Sequence, residues 1–157
     1  MIRLRVVCVG RCDAGFVREG VEHYLKRLRP LLPVEWEEVR AARHSGRSVA
    51  QALAAEGQAL LKRIAPADRL VLLDERGKAL TSRGLADWLT RVRQLPIASA
   101  ALVVGGADGV SEEVKRRADE TIALSPMTLP HQLVRVVLLE QLYRAATILA
   151  GQPYHHG

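Results

Sequence analysis

Hydrophobic positions along this chain fall into two rhythms, short apolar runs and longer stretches at helical spacing, and the two alternate from end to end. Ile2 to Val9 is an apolar run broken by two arginines and reads as a first strand. From Phe16 to Leu28, Val17, Val21, Tyr24, Leu25 and Leu28 share one stripe, which predicts a helix ending before Pro30 and Pro33. Val34 to Val39 sets Val34, Trp36 and Glu38 against Glu35, Glu37 and Val39, a strand with one irregular position. Arg40 to Arg47 is a basic loop, the one plausible flexible insert. Ser48 with Gln51 forms a capping-box pattern for a helix running to about Ile64.

The second half repeats the alternation. Leu70 to Leu73 reads as a buried parallel strand followed by a loop, Asp74 to Lys78. Ser82 is expected to cap a helix through about Leu95, and Ala98 to Val104 is a second buried strand running into Gly105-Gly106-Ala107-Asp108-Gly109. Ser111-Glu112-Glu113 opens another helix, with acids where the helix dipole favours them. Thr121 to Leu124 is the last strand, and Ser125 to Pro130 a loop. A final helix follows, apolar on almost every face except at Arg135, Glu140 and Arg144, and closed by Gly151. Such a helix needs cover on almost every face, from its own sheet and from a partner subunit. The architecture expected is α/β, a mostly parallel sheet with helices on both faces, in one domain spanning all 157 residues.

Charge adds a partner class. The net charge is +6, mostly from arginine, and favours polyanions, nucleic acid first. Arg40, Arg43, Arg47 and the basic N-terminal region are the candidate phosphate contacts. Aromatic content of 4% argues against a base-stacking sheet of the RRM kind. Cys8 and Cys12 read as reduced thiols of a cytoplasmic protein, without a second pair to make a zinc site. No apolar stretch approaches the roughly 20 residues of a membrane span, and the charged N-terminus reads as a strand rather than a signal peptide.

Three loops follow three buried strands, at Leu73 to Lys78, Gly105 to Gly109 and Leu124 to Pro130. Ligands of open α/β sheets sit outside the carboxyl ends of strands, so these loops can converge on one pocket. Gly-Gly-x-x-Gly is neither a dinucleotide fingerprint nor a P-loop, and reads equally as a tight turn or a ligand loop. His131 and Arg135, i and i+4 at the start of the last helix, share a face and suit an anion, although a lone histidine at a helix start is more often structural. Glu140 and Arg144 read as an intrahelical ion pair. The Tyr154-His155-His156 tail lacks the acids or thiols that would complete a metal site and reads as a segment that orders over a substrate.

These residues together resemble the ribosomal large-subunit methyltransferase H family, a branch of the SPOUT RNA methyltransferases. The resemblance spans the chain. It is carried by Val9-Gly10, Leu73-Asp74-x-x-Gly77-Lys78, Gly105-Gly106-x-x-Gly109, and most specifically by Thr128-Leu129-Pro130-His131-x-Leu133-Val134-Arg135-Val136. It continues through Glu140-Gln141-Leu142-Tyr143-Arg144-Ala145 to Tyr154-His155. The resemblance implies a C-terminal trefoil knot, a homodimer, and methyl transfer from S-adenosylmethionine to N3 of a pseudouridine in 23S rRNA of the ribosome. It implies cofactor contacts at Leu73, Gly105 and the run Leu124, Ser125, Pro126, Met127, Thr128 and Leu129. For catalysis it points to His131 or His155 assisting proton removal, Arg135 stabilising an anion or phosphate, and Tyr154 stacking on or bonding to the target. The tail ends His156-Gly157, where the family's pattern has a basic residue, so no terminal cation is expected to contact RNA. Two other readings stay open, a non-catalytic RNA- or ribosome-associated protein and a phosphate-binding α/β enzyme using Gly105 to Gly109.

Overall fold

The computed structural model describes residues 2–13, 15–42 and 46–157. Arg43, His44 and Ser45 of the basic loop lie outside the described residues. Strands and helices alternate as β1 (Arg3–Val9), α1 (Phe16–Leu28), β2 (Val34–Val39), α2 (Val49–Leu61), β3 (Arg69–Ala79), α3 (Ser82–Arg93), β4 (Ser99–Val104), α4 (Glu112–Arg117), β5 (Glu120–Ala123) and α5 (Leu133–Leu149). The strands form one parallel sheet in the order β2-β1-β4-β3-β5. Its central strands β1 and β4 are buried nearly throughout, which is why they are apolar runs rather than alternating ones.

The two sheet faces carry separate cores. One gathers Val6, Leu102 and Ile122 with Val21 of α1, Trp88 and Leu89 of α3, and Leu138 and Leu142 of α5. The other gathers Val7, Leu72 and Val103 with Leu60 of α2 and Val114 of α4. Alternate residues of one strand thus serve opposite layers. On the first face α5 packs between α1 and α3. The stripe read in α1 holds, since Val17, Val21 and Leu28 are buried.

Local signals set most helix starts. Ser48 and Gln51 form the reciprocal capping box, and Ser111 accepts from Val114 N–H at 3.3 Å. Three expectations need correction. The cap of α3 is Thr81, whose Oγ1 accepts from Gly84 N–H at 2.9 Å; Ser82 is already helical and donates its hydroxyl to Gln141 Oε1 at 2.6 Å. The helix expected to open at His131 begins at Leu133 after a turn, because Gln132 turns its side chain to β1's loop instead of capping. Residues 74–78, read as a loop, fall within β3.

That last difference has a topological cause. Leu73 pairs with Ile122 of β5, and so does Lys78. A strand residue has only two hydrogen-bonding edges, so Ile122 lies between Leu73 and Lys78, and residues 74–77 carry β3 across from one edge of β5 to the other. Ala79 then pairs with Ala123, and Leu80 N–H reaches the Ala123 carbonyl at 3.3 Å. β5, last in the sheet order, therefore has both edges satisfied. The crossing passes so close to β5 that a Cβ on Gly77 would stand 2.7 Å from the Thr121 backbone.

Gly77→Ala should accordingly lower stability by about 1–3 kcal/mol through overpacking against backbone that cannot yield. Urea denaturation would measure it, and an unchanged midpoint would contradict the clasp.

Candidate functional site

The three strand-end loops do meet. Together they line a pocket of about 460 Å³ outside the carboxyl ends of β3, β4 and β5, within the size range of small-molecule sites. Of the residues singled out from the sequence, Leu73, Gly105, Leu124 and Ser125 line it, as do Met127, Thr128, Leu129 and His131. Pro126 is exposed and is not part of the wall. The strand-end loops named from the sequence also bring Asp74, Glu75, Arg76 and Asp108 to the wall, although the resemblance had singled out only Leu73 and Gly105 from those two loops. Val134 of α5 lies outside the named loops, one turn of chain beyond His131.

Each wall is held by its own device. Gly105 lies so close to Gly109 that an added Cβ would stand 2.8 Å from the Gly109 carbonyl oxygen. Gly109 N–H bonds the Gly106 carbonyl at 3.1 Å and takes φ +83°, a conformation glycine adopts freely. The Gly-Gly-x-x-Gly motif is therefore a tight turn that also borders the pocket, and both readings of it apply. In the third loop Ser125 Oγ accepts from Met127 N–H at 3.0 Å, leaving the Met127 side chain 74% exposed at the rim.

The charge of the pocket is informative. Among the described residues the wall carries the carboxylates of Asp74, Glu75 and Asp108 and the guanidinium of Arg76, which is tied to Asp74 at 3.2 Å. The bond to Arg76 holds the Asp74 carboxyl below its ordinary range. Leu73, Leu124, Leu129 and Val134 supply apolar surface. Such a site suits a ligand with an apolar planar part and a positive centre; a polyphosphate would meet carboxylates. S-adenosylmethionine, with an adenine, a sulfonium and an amine, fits this set of groups.

Arg135 lies elsewhere. It is fully buried, and its guanidinium donates to the Val9 carbonyl at 2.7 Å and the Gly10 carbonyl at 2.9 Å, with Cys12 Sγ at 3.6 Å. Helical spacing did put it one turn beyond His131, but that turn faces the end of β1. Gln132 reinforces the same joint, donating to the Arg11 carbonyl at 3.1 Å and accepting from Asp13 N–H at 3.0 Å. Burial pushes the Cys8 thiol up to about 12 and raises Cys12 as well, so neither offers a thiolate nucleophile near neutral pH.

The tail is anchored on its own chain, outside the pocket. Glu140 and Arg144 pair at 2.6 Å as the spacing predicted, and the pair also holds the tail. Tyr154 donates its hydroxyl to Glu140 Oε1 at 3.2 Å, and Arg144 reaches His155 Nδ1 at 3.3 Å. The Tyr154 ring meets Tyr143 edge-on at 4.8 Å, with the guanidinium of Arg144 4.7 Å from its centre. Burial, then the nearby Glu140 carboxylate, raises the Tyr154 pKa and keeps the phenol a donor. Arg83 donates to the Gly157 carbonyl.

No helix among the described residues is long and apolar enough to cross a membrane. Among those residues no group of three or more His, Cys, Asp or Glu is placed to hold a metal ion.

A parallel α/β sheet with a pocket at its strand ends defines a ligand-binding α/β protein, and the glycine loop is neither a P-loop nor a dinucleotide fingerprint. Comparison with known proteins narrows this. The family model described as "Predicted SPOUT methyltransferase" matches residues 2–155. The Ribosomal RNA large subunit methyltransferase H of Geobacter sulfurreducens is 44% identical over 156 residues, covering 99% of this chain and all of the relative. The protein of that name from Anaeromyxobacter sp. strain Fw109-5 is 50% identical over 157 residues, covering 98% of this chain and 99% of the relative. A crystal structure of a probable methyltransferase from Bordetella pertussis Tohama I shares the fold, with a TM-score of 0.58 at 14% identity, covering 92% of this chain and 95% of the other. The chain belongs to the SPOUT methyltransferase family, in the group of the ribosomal RNA large subunit methyltransferase H proteins.

The tail anchor is open to test. Glu140→Ala removes the acceptor of Tyr154 and the partner of Arg144, so amide exchange at residues 154–157 should rise about tenfold or more, as for a segment freed to open locally. Unchanged exchange would show that the ring packing and the contacts of Arg144 and Arg83 hold the tail without Glu140.

Proposed function

We propose that this chain methylates N3 of a pseudouridine in 23S rRNA with S-adenosylmethionine as donor, acting as a cytoplasmic homodimer of one-domain subunits. The observation that carries the reading is the convergence of Leu73, Gly105 and the Leu124 to Leu129 run on one acidic pocket, in a chain whose relatives are named as large-subunit rRNA methyltransferases.

S-adenosylmethionine, held by the Leu73, Gly105 and Leu124 to Leu129 loops, would supply a sulfonium-activated methyl carbon to be transferred from sulfur to N3 as the N3 proton is lost. The chain's own groups then have three tasks. The loop walls fix the approach to the reacting nitrogen, and placement of this kind is a large part of the rate. His131, on the pocket wall, accepts the N3 proton. Arg135 acts as a positioning residue, since its hydrogen bonds lock the first turn of α5 to the end of β1 and so set where His131 stands.

Support for the dimer comes from α5. Leu133 and Val137, one turn apart, are only half-buried and stand outside the cores, so this end of the helix still needs apolar cover. In the dimer of this reading the tail stays on its own α5, and Tyr154 and His155 meet the pocket of the second subunit. The clasp of β3 around β5 supports the trefoil knot, with the segment from β5 through α5 as the threaded part. Exposed Arg40 and Arg47 serve phosphate contact.

Purified large subunits and whole ribosomes, incubated with tritiated S-adenosylmethionine and digested to nucleosides, should yield label as N3-methylpseudouridine. His131→Ala should cut the single-turnover rate by about 10²–10⁴-fold, the usual worth of a general base, with donor affinity nearly unchanged. RNA binding without label would favour a non-catalytic protein, and a wild-type rate in the variant would remove His131 as the base.

A further inference from the structure

A second cleft opens on the same rim of the sheet, at the carboxyl ends of β1 and β2, and of its lining the reaction proposed above draws only on Arg40, as a phosphate contact. Its volume is about 1130 Å³. Arg11 comes from the loop after β1, Arg18 from α1, Trp36 and Glu38 from β2, and Arg40 from the segment beyond β2. Each arginine alone would be an ordinary solvated side chain. The fold brings the three from separate elements to one cleft, and all are exposed.

Their engagement differs. Arg18 donates to the Cys12 carbonyl at 3.2 Å, which steadies it at the cleft wall. Glu38 takes the Cys12 N–H at 2.8 Å through one oxygen, leaving the other as an acceptor. Among the described residues of the lining, three guanidiniums against Glu38 and Glu22 leave a small net positive charge. That suits a single phosphodiester better than the backbone of a long duplex.

Trp36 adds the second component. It is half-buried, packed against the core on one side while lining the cleft. The other tryptophan, Trp88, is buried and bonded to Glu120. An indole beside guanidiniums offers what an unpaired nucleotide uses, a surface for the base and donors for the phosphate. Hydrogen bonds tie the cleft wall to residues beside the first pocket. Gly10 and Arg11 line the cleft, and this same stretch is gripped by Arg135 and Gln132, the neighbours of the pocket residues Val134 and His131.

We propose that this cleft is a second nucleotide site, holding an unpaired nucleotide near the one being modified, with its base on Trp36 and its phosphate between Arg11 and Arg40. The inference rests on the rRNA methyl-transfer reading for the identity of the strand, but the site can be tested apart from it.

Trp36 is its own reporter. Titration of the full-length protein with pentauridylate, without methyl donor, should quench tryptophan emission saturably. Trp36→Phe should abolish the quench, since Trp88 is enclosed. The double variant Arg11→Glu/Arg40→Glu, with its melting curve checked against wild type, should weaken the half-saturation concentration about tenfold or more. No quench in the wild type, a quench that survives Trp36→Phe, or affinity untouched by the double charge reversal would each overturn the proposal. Ribosome methylation measured on the same preparations separates the two readings. Methylation without the quench rejects the cleft and leaves the reaction standing, whereas the quench without methylation upholds the cleft and rejects the reaction.

Discussion

The placement of the third pocket loop depends on the way β3 holds β5. A short strand of four residues is bonded along one edge by Leu73 and its predecessors and along the other by Lys78 and Ala79, and the crossing between them requires glycine at position 77. This double hold sets the origin of the loop from Leu124 to Pro130, and that loop is a wall of the pocket. The far end of the loop is secured as well, because Arg135 and Gln132 bind the backbone after β1. The pocket is therefore shaped by hydrogen bonds between residues far apart in the chain, and its loops owe their order to the sheet rather than to their own stiffness.

A buried guanidinium with backbone carbonyls as its partners is an unusual way to fix a helix. Carbonyls at the end of a strand that gives way to a loop lack ladder partners, and a burial without donors would be costly. Arg135 supplies several donors in a planar fork, more than an amide or a hydroxyl could. Glu140 plays a comparable part midway along the same helix, where it gathers Arg144 and Tyr154 and so fixes the tail. α5 thus links the cofactor pocket at its first turn with the tail at its last.

The local parts of this fold were legible in the sequence. The capping box at Ser48, the stripe on α1 and the buried runs of β1 and β4 depend on neighbours within a few residues, and all are observed. Pocket membership was legible through the general placement of ligands at strand ends, together with the glycines. Long-range choices were not. The pairing of Lys78 with Ile122 spans more than forty residues, so the β3 crossing looked like an ordinary polar loop. Spacing could show that His131 and Arg135 were one turn apart, but could not show that Arg135 would face the end of β1. Trp36 read simply as a strand residue, because the arginines around it come from α1 and two loops that only the fold assembles.

The central claim is that the three loops at the ends of β3, β4 and β5 form the methyl-donor site. A crystal structure of the complex with S-adenosylmethionine tests it most directly. Ligand density is expected between Leu73, Gly105 and the run from Leu124 to Leu129, with the positive end toward Asp74 and Glu75. Density in another part of the molecule, with this pocket empty at saturating ligand, would contradict it.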